Sequence, residues 1–158
     1  MTAEVVSTGT TKMINLQIIT KDNLSPIMKL KVKDDQQDQV ASNAVSIAQA
    51  HYSDKAWFRG IYFDDTPVGF VMLSIDKEKK EYWVWRYMID KNHQGKGYGK
   101  AALLQVIDFM KTLPDIEEIL LSYVPKENGA NAFYTKVGFI DTGKKIEDEV
   151  IMKYTLSE

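Results

Sequence analysis

The sequence predicts an α/β domain in which a mixed, mostly antiparallel sheet is flanked by helices, all within one unit spanning residues 13–158. Three observations carry this. Three strand-like segments between Trp57 and Ile89 are separated only by the short polar clusters Asp64-Asp65-Thr66-Pro67 and Asp76–Lys80, as an antiparallel meander requires. A glycine run, Gln94-Gly95-Lys96-Gly97-Tyr98-Gly99-Lys100, follows the third segment and leads into an amphipathic helical pattern. Further on, the continuous apolar run Ile119–Val124 suits a strand buried on both faces.

The elements follow in order. Met13–Ile19 alternates and reads as the first strand. Asn23 or Ser25 offers a helix cap with Pro26 in the first turn, and Ile27 and Leu30 carry the helix to about Val32. A second helix runs from about Gln39 to Tyr52, with Val40, Ala44, Ile47 and Ala48 on one side. Trp57–Phe63, Val68–Ile75 and Glu81–Ile89 form the meander. A helix from Tyr98 to about Thr112 places Leu103, Val106, Ile107 and Met110 at 0, 3, 4 and 7, one face, with Pro114 just past its end. Asn128–Val137 is a short helix stopped by Gly138, and Phe139–Thr142 pairs with Val150–Leu156. The order β-α-α-β-β-β-α-β-α-β-β is that of a single α/β domain. Met1–Lys12, rich in Ser, Thr and small residues, is expected to be a disordered extension.

Composition excludes several classes. A net charge of −2 gives no basic field, so no nucleic-acid partner is expected. The absence of cysteine removes disulfides, thiolate metal sites and a cysteine nucleophile, and with only His51 and His93 no metal is expected. No run reaches the roughly 18 apolar residues of a membrane helix, and the first residues lack the basic start and apolar centre of a signal peptide. A cytoplasmic location with no membrane partner is the expectation.

The glycine run is the sharpest chemical signal. Glycines at alternate positions clear side chains from the backbone, and a helix N-terminus follows at once; both favour an anion such as a phosphate. The mononucleotide loop G-x-x-x-x-G-K-[ST] fails, because Ala101 follows Lys100 and position 94 is Gln. The dinucleotide fingerprint G-x-G-x-x-G also fails, because the spacing here is G-x-G-x-G after an antiparallel meander.

The pattern that fits is Q/R-x-x-G-x-G/A, with Gln94, Gly97 and Gly99 at its fixed positions. It resembles the cofactor loop of the GCN5-related N-acetyltransferases, the GNAT family. A second segment, Ala130, Phe133-Tyr134 and Gly138-Phe139, resembles that family's A-x-x-(L/F)-Y-x-x-x-G-F, and the element order agrees over nearly all of Met13–Leu156. The resemblance implies acetyl-CoA as cosubstrate. Gln94, Gly95, Lys96, Gly97, Tyr98, Gly99 and Lys100 would cradle its pyrophosphate, while Met88 and Ile89 present strand backbone to the pantetheine arm. The family's asparagine seven residues before the tyrosine is Glu127 here; Asn128 and Asn131 are the candidates for its cofactor contact. A homodimer is common among such proteins.

Acetyl transfer to an amine needs the neutral amine. An alkylamine with a pKa of about 10.4 is neutral in only about one molecule in 10³ near pH 7, a cost of about 4–5 kcal/mol. A carboxylate acting through water can take that proton. Glu81, at the start of the strand that ends in the glycine loop, is the candidate base; its other reading is a solvated turn residue. A strand amide near Met88 or Ile89 can stabilise the tetrahedral oxyanion. The resemblance implies that Tyr134 serves the leaving thiolate as hydrogen-bond or proton donor, with no covalent enzyme intermediate.

Acceptor recognition is expected in the polar segment after the first helix. Asp34, Asp35 and Asp38 with neighbouring Gln residues suit a cationic, flexible amine or are a solvated acidic loop. Trp57, Tyr62, Tyr82, Trp83 and Trp85 supply aromatic surface for methylenes or ammonium groups, or are core. Leu30-Lys31-Val32, Gln37 with Val40-Ala41, Asn43 and Ser46-Ile47-Ala48-Gln49-Ala50, then Val68-Gly69-Phe70 and Trp85-Arg86-Tyr87-Met88-Ile89-Asp90 look like bacterial spermine/spermidine (diamine) acetyltransferases. That likeness implies a polyamine acceptor, with Asp34, Asp35, Trp85 and Arg86 on its side; Arg86 would organise a carboxylate or face the acceptor. Another amine (a peptide, protein or aminoglycoside), or a non-catalytic acetyl-CoA sensor, is the alternative, since one fold carries many acceptors.

Overall fold

The computed structural model describes residues 13–37, 40–126 and 130–156. Its elements are β1 (Ile14–Gln17), α1 (Leu24–Met28), a 3-10 turn (Asp34–Gln36), α2 (Asn43–His51), β2 (Ala56–Phe63), β3 (Thr66–Asp76), β4 (Glu81–Ile89), α3 (Tyr98–Met110), β5 (Glu118–Tyr123), α4 (Ala130–Val137), β6 (Ile140–Ile146) and β7 (Glu149–Thr155). Seven strands form one sheet in the order β1-β2-β3-β4-β5-β7-β6. All neighbours are antiparallel except β4 and β5, which are parallel. The expected α/β architecture is the observed one. The extension expected at residues 1–12 lies outside the described residues.

The sheet is covered on both faces, and the side-chain parity of its strands divides the core in two. On one face Val71 and Leu73 of β3 join Leu103, Val106, Ile107 and Met110 of α3. All four α3 residues are at most 1% exposed, which makes the predicted apolar stripe the contact face; burying each such side chain contributes about 1.5–3 kcal/mol. On the other face Phe70 and Met72 of β3 meet Ile27 of α1 and Ala50 of α2. Asn43 of α2 donates from Nδ2 to the carbonyl of Ile27 at 2.8 Å, fastening the two short helices together.

Several boundaries depart from expectation; β3, for one, takes in Thr66 and Pro67 rather than starting at Val68. The first strand is Ile14–Gln17 rather than Met13–Ile19; the Asn23 side chain ties the Thr20 amide and the Ile18 carbonyl into a turn at 2.7 and 3.1 Å. The first helix stops at Met28, short of Val32, because Lys31 is held elsewhere: its amide donates to Asp90 Oδ1 at 2.9 Å and its carbonyl accepts from the Lys91 amide at 2.7 Å. The second helix begins at Asn43 rather than Gln39, since Ser42 Oγ accepts the Val45 amide at 3.1 Å and fixes the N-terminus there; Gln39 itself lies outside the described residues. β6 continues past Thr142 to Ile146 through an irregularity between Asp141 and Lys145, where Gly143 has φ +80°.

Candidate active site

The site begins where the sheet comes apart. β4 and β5 share a single register pair, Trp83 with Leu120. Past that pair, the rest of β4 to Ile89 keeps an edge without a strand partner among the described residues. Unpaired strand N–H and C=O groups are a ready template for an extended ligand. β4 is also bulged. Arg86 lies opposite Met72 and Val84 opposite Leu73, so Trp85 is the extra residue. The insertion inverts the alternation: Tyr82 and Val84 face the α3 side of the core before it, Tyr87 and Ile89 after it, while Met88 enters the α1–α2 side.

After β4 the chain is pinned before it reaches the glycines. Asp90, 6% exposed, accepts from the amides of Lys31 and Asn92 at 2.9 and 3.1 Å and lies 3.2 Å from His93 Nδ1. Burial opposes its charge, but these donors outweigh it and hold the carboxyl below its ordinary value. Gln94 Nε2 donates to the carbonyl of Ile89 at 2.9 Å and to Gln36 Oε1 at 3.0 Å. Gly95 and Gly97 then adopt φ +79° and +85°, the left-handed region that glycine enters without a Cβ penalty, and Gly97 is the N-cap of α3. A Cβ on Gly99 would stand 3.3 Å from the Phe133 ring, so this glycine allows α3 and α4 to close up. Tyr87 Oη donates to the Gly99 carbonyl at 2.5 Å, tying the strand to the first turn of the helix.

These pieces enclose a cleft of about 500 Å³ lined by Met88, Ile89, Gln94, Gly95, Gly97, Gly99, Lys100, Phe133 and Tyr134, among others. It brings together most of the residues expected at the cofactor. Tyr98 and Lys96 do not line it: the Tyr98 ring stacks on Phe63 at 4.6 Å, and Lys96 is exposed. Asn128 lies outside the described residues, as does Glu127. Asn131 also stands off the cleft, donating from Nδ2 to Tyr123 Oη at 2.8 Å.

A second cavity of about 760 Å³ adjoins the first, sharing Val40, Tyr87, Ala130 and Tyr134 with it. Its walls carry Glu81, Trp83, Trp85 and Arg86 of β4, Ser122 and Tyr123 of β5, and Glu149 of β7. Glu81 is exposed, and its Oε1 accepts from Trp83 Nε1 at 3.2 Å. Arg86 donates from Nη2 to Gln49 Oε1 at 2.9 Å; burial lowers its pKa, against the pull of Glu149. Asp34 and Asp35 sit in the 3-10 turn and line neither cavity, whereas the adjacent Gln36 lines the first and Gln37 the second. Glu149, which accepts from Ser122 Oγ at 2.8 Å, had no signal in the sequence. It stands in the run Glu147-Asp148-Glu149, which reads as a polar turn, and only the hairpin brings it to the cavity wall.

Tyr134 forms part of both walls. Its ring packs against those of Phe133, Phe139 and Tyr123 at 5.2, 5.9 and 6.3 Å. Its hydroxyl has no hydrogen-bond partner among the described residues, and burial pushes its pKa up to about 12. Burial raises Tyr87 still more clearly, with the nearness of Tyr134 adding to it. Tyr134 therefore stays protonated, a donor, across the neutral range.

Comparison with known proteins gives the family and agrees with the fold. The model of the Acetyltransferase (GNAT) family matches residues 24–139. The probable spermine N(1)-acetyltransferase of Bacillus subtilis subsp. natto is 32% identical over 140 residues, 83% of this chain and 90% of that protein. The spermine/spermidine N(1)-acetyltransferase of Bacillus subtilis strain 168 is 31% identical over the same shares. Among solved structures, the spermidine N-acetyltransferase of Vibrio cholerae in complex with CoA and spermine superposes with a TM-score of 0.73 at 17% identity, covering 90% of this chain and 95% of that one, a likeness of fold. With the family model matched over most of its length and relatives of 31–32% identity covering 83% of it, the chain belongs to the GNAT family of acetyl-CoA-dependent N-acetyltransferases.

Proposed function

We propose that the enzyme acetylates a primary amine of spermidine or spermine, with acetyl-CoA in the first cavity and the amine in the second. The observation that carries this reading is the second cavity itself: two carboxylates, Glu81 and Glu149, and the indoles of Trp83 and Trp85 line a space that meets the cofactor cleft at Tyr134. Carboxylates suit ammonium groups, and indole faces suit both ammonium groups and the methylenes between them. Of the two Bacillus relatives, one is named for spermine and the other for spermine and spermidine.

The chemistry follows from the parts. Glu81, through water, takes a proton from the bound ammonium. The amine nitrogen then attacks the thioester carbonyl and a C–N bond forms. A β4 amide near Met88 or Ile89 stabilises the oxyanion. On collapse the C–S bond breaks, the carbonyl re-forms and the nitrogen loses its second proton. Tyr134 donates a hydrogen bond to the departing sulfur. With the phenol at about 12 and a thiol near 8.5, full transfer from tyrosine to thiolate would be uphill by about 5 kcal/mol. Tyr134 therefore stabilises the thiolate while the proton that finally makes the thiol comes from the more acidic nitrogen or from solvent.

Arg86 on the same wall favours a second reading, an acceptor that carries a carbonyl or carboxylate beside its amine, such as a peptide. Purified enzyme with acetyl-CoA and a panel of polyamines, peptides and aminoglycosides, read by mass spectrometry, separates the two. Acetylated spermidine or spermine is the expected product. An untouched polyamine set beside an acetylated peptide would sink the polyamine reading, and CoA binding without turnover of any amine would leave a sensor.

A further inference from the structure

We infer that Gln36 is a positioning residue through which the occupied acetyl-CoA loop orders the wall of the amine cavity. The inference rests on the proposed assignment of the two cavities. Gln94, at the start of the glycine loop, uses both Nε2 hydrogens: one goes back to the carbonyl of Ile89 at 2.9 Å, the other across to Gln36 Oε1 at 3.0 Å. The same Oε1 accepts the Lys33 amide at 3.0 Å. The orientation of both carboxamides follows from their partners: the Ile89 carbonyl requires a donor on Gln94, and the Lys33 amide requires an acceptor on Gln36. The result is an unbroken chain from the end of β4, through Gln94 and Gln36, into the backbone of the segment preceding α2.

That segment is fastened at its other end to the same loop. The Lys31 amide donates to Asp90 Oδ1 at 2.9 Å, and the Lys91 amide donates to the Lys31 carbonyl at 2.7 Å. Residues 31–36 are thus held by residues 89–94 at two points, one of backbone and carboxylate, the other made only of two glutamine side chains. The segment also serves both cavities. Val32 and Gln36 line the cofactor cleft, Gln37 lines the amine cavity, and Val40 lines both. A pyrophosphate on the amides of the loop restrains Gln94; Gln94 restrains Gln36, and with it Gln37 on the amine side. Ordering set up by the first ligand then need not be supplied by the second, and linkage makes the effect reciprocal.

The test uses the full chain and CoA as probe, with amide hydrogen exchange of residues 31–37 as a readout that needs no acceptor. CoA is expected to slow exchange there by about three- to tenfold, the worth of one neutral hydrogen bond. Gln36→Met keeps the length but lacks the oxygen, and is expected to abolish that CoA-dependent slowing while still binding CoA. Gln36→Glu keeps an acceptor for both donors and is expected to retain it. In steady state Gln36→Met should raise the KM of spermidine more than that of acetyl-CoA. Equal CoA-dependent slowing in wild type and Gln36→Met would overturn the inference, as would CoA binding that leaves this segment unchanged in the wild type. Failure of the wild type to bind CoA would instead take the proposed function down, and this inference with it.

Discussion

In the proposed mechanism Tyr134 is the donor to sulfur, and burial sets the pH range over which its phenol keeps the proton. Burial raises the folded-state pKa to about 12, so the phenol keeps its proton as pH rises well past the ordinary value of about 10 and loses it only near the raised one. The neutral fraction of the amine grows over the same range. kcat/KM is therefore expected to climb from pH 7 to about 10 with no falling limb from this tyrosine; a decline by half near pH 10 would mean an unperturbed phenol. Tyr134→Phe should lower kcat by about 10²-fold, the scale of one transition-state donor, while leaving acetyl-CoA affinity within a few-fold. Stopped CoA release with the variant, alongside a direct titration of CoA, checks both halves.

At the scale of elements, the glycine loop allows strain to be separated from crowding. A Cβ at Gly97 meets nothing within 4 Å, yet the residue sits at φ +85°, so Gly97→Ala pays in backbone conformation alone, about 1–2 kcal/mol. Because that residue caps α3, the first turn should relax, and on the proposed reading it would then hold the pyrophosphate less well. The expected result is a modest loss of thermal stability with a raised KM for acetyl-CoA and a smaller change in kcat, measured by melting and by saturation kinetics. This loop, the meander before it and the α3 stripe were legible in the sequence because their signals are local: glycine spacing, turn clusters, a repeat of 3.6 residues. Residues whose role depends on long-range closure were not. Glu149 reaches its cavity through a hairpin, and Gln36 meets Gln94 across 58 positions of chain. The acidic pair Asp34 and Asp35 had the right chemistry for an amine, but the 3-10 turn gives the cavity walls to Gln36 and Gln37 instead.

For the molecule as a whole, the parallel seam is the weak join. β1–β4 and β5–β7 meet in the sheet at one register pair, and the rest of their union is made by helices, α3 among them, and by the core around Phe139 and Met152. A cosubstrate that binds along the open edge of β4 and against α4 bridges both parts. At a CoA concentration 100 times its Kd, about 2.7 kcal/mol of stabilisation is expected, a rise in Tm of about 5–10 °C for a chain of this size. A CoA-independent melting curve would contradict that placement. Among the described residues no helix is long and apolar enough to cross a membrane.

The extra residue at Trp85 divides β4 into two lengths. Upstream of it lie Glu81 and Trp83, which line only the second cavity; downstream Arg86 lines only the second cavity, Tyr87 lines both, and Met88 and Ile89 line only the first. Because paired residues share a face, what keeps the downstream half correctly turned is its own register with β3, Phe70 opposite Met88 and Val71 opposite Tyr87. On the proposed reading of the two cavities, Glu81 and Trp83 can be changed to suit a different amine while Met88 and Ile89 keep their register with β3. Removing Trp85 would give the strand a regular ladder with Arg86 still opposite Met72 and Val84 opposite Leu73, so Tyr87 and Met88 would keep their faces.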